Sequence, residues 1–143
     1  MLVSVAGLVG VSGAEQKHSF VLSPTLGSAL LKQCSRPTPQ KIEGFWVPTE
    51  QNIARLEQLL VPFLTSISGG KSALPLEHYH RQYVGFIKGG KRYIYGNFYG
   101  QSEAGRNESV EPVIVCDGGA DFWGIVYSLD SNTFSDFYRN GFA

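Results

Sequence analysis

Neither sign of charge prevails in this sequence: twelve Lys and Arg face twelve Asp and Glu. A nucleic-acid binder usually carries a basic excess or stripe, and a polybasic membrane patch needs the same. The one basic cluster, "KGGKR" at 88–92, reads as a hairpin turn. No nucleic-acid partner is therefore expected. Charge as a whole is scarce, at 17%. No apolar run reaches the ~20 residues that cross a bilayer, so no stable membrane insertion is expected. The phosphate-binding patterns GxGxxG and GxxxxGK[ST], the GxSxG elbow and the EF-hand loop are all missing. "GGKS" at 69–72 has Thr65 where a phosphate loop needs glycine. The motifs thus predict no cofactor, no metal site and no catalytic residue.

Cysteine is also sparse, with only Cys34 and Cys116. Two thiols cannot frame a structural zinc site, which takes four ligands. An even pair in an exported chain reads as a disulfide. Export is suggested by the first fourteen residues, "MLVSVAGLVGVSGA", which hold no charge and end in small residues before Glu15. They read as a signal peptide whose charged beginning is missing. An apolar N-terminal strand is the alternative. The expected organisation is a leader over 1–14 and a single domain over 15–143, periplasmic or secreted.

What is abundant is apolar and aromatic: 43% and 13% of 143 residues. Residues 15–24 read as an arm and 25–34 as a short helix ending before the prolines of "SRPTP". "KIEGFWVP" (41–48) is a strand or an aromatic cover. In "PTEQNIARLEQLLVPFL", Ile53, Leu56, Leu59, Leu60, Phe63 and Leu64 form a 3.6-period stripe. Thr49 can cap this helix, and Pro62 predicts a bend or an end. Strands are expected over 81–88, 91–99, 112–116, 122–129 and 133–140. Gly89-Gly90 and "DSN" (130–132) supply tight turns. The predicted fold is α+β: one main amphipathic helix on a curved antiparallel sheet of four or five strands, with a short N-terminal helix.

"VIVCDGGADFWG" raises the question of chemistry. Asp117 and Asp121 are too few for calcium, and "DGG" reads as a turn in which Asp117 accepts local backbone bonds while Gly118 and Gly119 supply positive φ. His78 and His80 share a parity that would place both on one strand face. With a carboxylate they are the sequence's one candidate acid–base pair. His18 lies in the arm and is read as a bystander. "NES" (107–109) is formally a glycosylation acceptor. Tyr93, Tyr95, Tyr99, Phe122 and Trp123 form a candidate binding surface, since Tyr and Trp bury area while keeping a polar handle.

The stretches "QCSRPTP", "GFWVPTEQNIARLEQLL", "RQYVGFIKGGKRYIYGNFY" and "VIVCDGGADFWGIVYSLDSNTFSDFYRNG" resemble a family of small uncharacterised exported bacterial proteins. The resemblance implies export and an α+β domain, not an activity. The helix-then-meander order is similar to the cystatin and nuclear-transport-factor architectures, by analogy alone. The first functional expectation is a non-enzymatic binding module of the periplasm or secreted space, such as an inhibitor or immunity-type protein, with another protein or a glycan as partner. The alternatives are a small enzyme with a sheet-lined pocket using His80 or His78 with a carboxylate, and a structural accessory domain of an envelope assembly.

Overall fold

The computed structural model of the chain describes residues 18–69, 75–100 and 107–142. The fold is α+β. Its strands are β1 (Ser19–Val21), β2 (Gly44–Trp46), β3 (Tyr79–Lys88), β4 (Lys91–Gly100), β5 (Trp123–Ser128) and β6 (Thr133–Arg139). Its helices are α1 (Gly27–Leu30) and α2 (Glu50–Ile67). The strands form one sheet in the order β1-β3-β4-β5-β6, with β2 also pairing β3.

Three expectations are corrected. Among the described residues the sheet has six strands, not four or five. It is mixed rather than antiparallel, because β1 lies parallel to β3; it is neither closed nor strongly curled. β1 has three residues, too few to show an alternating pattern, so the sequence read it as an arm. Finally, 112–116 is not a strand. Its backbone is tied down by side-chain amides: Val113 N donates to Gln82 Oε1, while Asn97 Nδ2 donates to Val113 O. A polar backbone that must be satisfied when buried is met here by two amides of the sheet instead of a ladder.

The β3–β4 hairpin turns at Gly89 and Gly90, with φ of 59° and 72°. Register places Tyr79, Arg81, Tyr83, Phe98, Ile94, Trp123, Ile125 and Tyr127 on one face. Ile53, Leu56, Leu60 and Leu64 of α2 pack against that face. Each such buried side chain contributes roughly 1.5–3 kcal/mol relative to exposure. The opposite face carries His80, Gln82, Val84, Phe86, Tyr95, Asn97 and Tyr99. Its apolar part is covered by Leu22 and Leu30, and its polar part by residues 107–117.

α2 begins with a reciprocal cap: Thr49 Oγ1 accepts from Asn52 N, and Asn52 Oδ1 accepts from Thr49 N. It runs through Pro62 to Ile67. Pro62 is exposed, so water can satisfy the carbonyl one turn back that a proline leaves unpaired.

Cys34 and Cys116 are bridged, with Cα atoms 5.3 Å apart. Beside the bridge, Asp117 N donates to Ser35 Oγ and Ser35 Oγ donates to Asp117 Oδ1. Gly118 and Gly119 take positive φ, as expected of a turn, and Asp117 does so too. The leader reading falls on residues 1–14, outside the described residues. Among the described residues no helix is long and apolar enough to cross a membrane.

Candidate functional site

His80 enters β3 one residue after its start, on the face opposite α2. Its side chain meets Glu108, in the turn that follows Asn107. Nδ1 of His80 lies 2.8 Å from Oε1 of Glu108. His80 is 6% exposed and Glu108 8%. Tyr99, across the ladder from His80, donates its hydroxyl to the same Oε1 at 2.6 Å. Burial, then the hydrogen bond to Glu108 and its charge, push the Tyr99 phenol far up, so it stays a donor. Nε2 of His80 has no hydrogen-bond partner among the described residues, where no fully buried side-chain nitrogen or oxygen is left unpaired. One imidazole nitrogen is thus oriented by a carboxylate and the other makes no hydrogen bond among the described residues.

The turn that presents Glu108 is fixed from beneath by Gln82. Its Nε2 donates to Glu108 O at 2.8 Å and to Glu111 O at 2.7 Å. Its Oε1 accepts from Val113 N and Asn97 Nδ2. Asn97 Oδ1 accepts in turn from Arg36, whose guanidinium also donates to Tyr95 Oη and Asn140 Oδ1. Asn140 Nδ2 donates to Val115 O and Asp117 O. A run of amides and one buried guanidinium thereby holds 108–117, and the disulfide closes its end. Gly124 leaves the room: a Cβ there would lie 2.2 Å from Tyr95 Oη and 2.9 Å from Arg36 Nε.

On the other side, the His18 ring stacks on His80, with centroids 4.5 Å apart and planes 24° apart. His18 lines an open groove of about 940 Å³ along β1 and the first half of α2. Val21, Val47, Pro48, Ile53 and Ala54 give that groove an apolar wall. Glu50, Glu57, Glu77 and Arg81 give it charge. Arg81 is held by Glu57, Nε to Oε1 at 2.7 Å, and Tyr83 Oη donates to the same oxygen at 2.9 Å. Burial first, then the Glu57 charge, drives the Tyr83 phenol well above its ordinary value. Three carboxylates against one paired guanidinium leave the groove acidic.

The candidate residues fare differently. His78 lies exposed in the 3-10 turn Leu76–His78, off the strand, so it does not share a face with His80. Asp121 ends another 3-10 turn and does not join Asp117. Among the described residues no group of His, Cys, Asp and Glu is arranged to hold a metal. The aromatic binding surface is corrected by burial. Tyr95, Tyr99 and Trp123 are inside, and Tyr93 and Phe122 are half-buried. Trp123, 3% exposed, stacks on Phe98 with centroids 3.8 Å apart.

The expectation of a purely non-enzymatic binding module is also corrected. Burying an imidazole and a carboxylate costs free energy, and a docking surface has no use for that cost. The buried His80–Glu108 pair, with one nitrogen unengaged, fits the acid–base alternative. Three of its residues escaped the sequence reading. Glu108 lay in a polar loop without pattern, and His18 lay in an arm. Gln82 did carry a signal, as an amide in the middle of an aromatic strand.

No protein-family model, no curated protein and no solved structure matches the chain.

Proposed function

We propose that the protein is a small exported enzyme of the general acid–base type, with His80 as its working group. The observation that carries this reading is the buried His80–Glu108 contact of 2.8 Å with Nε2 left unengaged. Glu108 fixes the ring and stabilises the imidazolium that forms when Nε2 takes a proton. Tyr99 holds the carboxylate in place. His18 lines the groove and stacks on His80, which does not line it, so the reading requires the acyl group of a bound substrate to reach past the groove's edge to Nε2.

The reaction class we propose is hydrolysis of an ester or amide. Both cysteines are in the disulfide, and no Ser or Thr hydroxyl bonds to His80 among the described residues. We take water as the nucleophile. A water proton passes to His80 Nε2 as its oxygen bonds to the acyl carbon. The same proton then goes to the leaving oxygen or nitrogen as its bond to carbon breaks. An acidic groove disfavours phosphates and nucleic acid and suits an acyl substrate bearing a positive or neutral group, such as a segment of another protein. The disulfide supports a periplasmic or secreted setting.

The test is a panel of ester and amide substrates offered to the full chain with its disulfide formed, beside His80→Gln. Hydrolysis that His80→Gln lacks is the expected result. A panel on which the two proteins behave alike overturns the proposal.

A further inference from the structure

A second cleft, of about 270 Å³, lies away from the groove, between the end of α2 and the start of β5. Its floor and walls are Tyr79, Trp123 and Phe137, with Leu64 and Ile67 from α2. Tyr79 meets Trp123 edge-on, with centroids 5.4 Å apart, and Trp123 tilts against Phe137 at 5.3 Å. Charges of opposite sign stand at its rim. Arg139 is the ladder partner of Trp123, and Asp121 precedes Trp123 by two residues. Both are exposed and both line the cleft, yet no ion pair joins them and neither has a charged partner among the described residues. The Arg139 guanidinium lies 5.0 Å over the Phe137 ring, a packing that leaves its N–H edge free for a carboxylate. The Tyr79 phenol between them is raised by burial first, and the charges of Asp121 and Arg139 also act on it, in opposite senses.

We infer that this cleft binds a small aromatic zwitterion, an aromatic α-amino acid in its simplest form. The ring lies against Tyr79, Trp123 and Phe137. The carboxylate pairs with Arg139 and the ammonium with Asp121. The volume falls just below the ~300–1,000 Å³ of sites for drug-sized ligands, which suits one ring and a short polar tail. Two rim charges that do not neutralise each other complement a ligand carrying both signs. The inference is independent of the His80 reading, since no residue of the cleft belongs to that site.

The probe is L-phenylalanine, titrated into the full disulfide-bonded chain while the indole N–H resonance of Trp123 is followed. Trp46→Phe assigns that resonance, because Trp46 is the other tryptophan. A saturable shift at Trp123 is expected, with Trp46 unmoved. Arg139→Gln and Asp121→Asn are each expected to weaken binding about tenfold, equivalent to ~1.4 kcal/mol. Benzoate and phenethylamine, which carry one charge each, should bind more weakly than phenylalanine. Both substitutions are at exposed positions, and unchanged resonances elsewhere verify the fold. No saturable shift up to about 10 mM, a range that reaches past weak millimolar binding, overturns the inference. So does equal binding by the double variant.

Discussion

Nδ1 of His80 and Oε1 of Glu108 lie 2.8 Å apart on the sheet face that α2 does not cover, with Tyr99 donating to the same oxygen. An ionised carboxylate can only accept, so Nδ1 is the donor to Glu108, and in the neutral ring Nε2 is then the acceptor. Nitrogen NMR of the neutral His80 ring should show that tautomer. Tyr99→Phe removes one of the two bonds to Glu108 and should lower stability by about 1–3 kcal/mol while keeping the tautomer. Glu108→Gln should let the tautomers mix. An unchanged His80 spectrum in Glu108→Gln contradicts the orienting role.

The disulfide closes the far end of the segment that begins with Glu108. It joins residues 82 apart, and both cysteines are exposed. Chain entropy puts its contribution at roughly 4 kcal/mol. A Cys34→Ser, Cys116→Ser double variant should unfold at correspondingly lower denaturant, with amide exchange quickening first over 107–117. If exchange there stays as slow as in β3 and β4, the bridge does not restrain the segment.

Gly124 permits the Arg36 network. An Ala side chain would collide with Tyr95 Oη and crowd Arg36 Nε. Overpacking of this kind costs about 1–3 kcal/mol, and more if the buried guanidinium loses its partners. Gly124→Ala should therefore destabilise by at least about 2 kcal/mol in urea unfolding. Gly89, with open space around its missing Cβ, should show mainly the smaller cost of an unfavourable φ, about 1–2 kcal/mol.

Alkaline pH should unfold the protein through its tyrosines. Tyr83, Tyr95 and Tyr99 are all raised, in each case chiefly by burial. A raised folded value means the protonated phenol is favoured in the fold. The stabilisation is intact below about pH 10, the unfolded value, and is lost as pH rises beyond it. Ultraviolet titration should show a phenolate step that coincides with loss of near-ultraviolet circular dichroism. Smooth ionisation of every tyrosine without unfolding contradicts this burial.

Much of the scaffold was legible because it is periodic. The stripe from Ile53 to Leu64 marked α2, and Gly89-Gly90 marked the β3–β4 turn. Three features lay beyond pattern. β1 is too short to alternate. Pro112–Cys116 has a strand's composition, yet its hydrogen bonds go to Gln33, Gln82, Asn97 and Asn140, partners up to 80 residues away. Glu108 sits in "NES", where Asn107 is exposed and the next residue is buried, and nothing local distinguishes the two. The aromatic surface failed for a general reason: Tyr and Trp suit both a docking face and a sheet core, and here Arg36 and Glu108 bond the hydroxyls of Tyr95 and Tyr99 inside.

The central claim is that His80 and Glu108 act together on a substrate. It is tested most directly by kcat/KM of the wild type, His80→Gln and Glu108→Gln on the best substrate of the ester and amide panel, with Tm measured for each. The account predicts a fall of about 10²–10⁴ in both variants, the usual worth of a positioned acid–base group, in proteins that remain folded at the assay temperature. Folded variants that keep the wild-type kcat/KM would contradict it and leave the pair a purely structural contact.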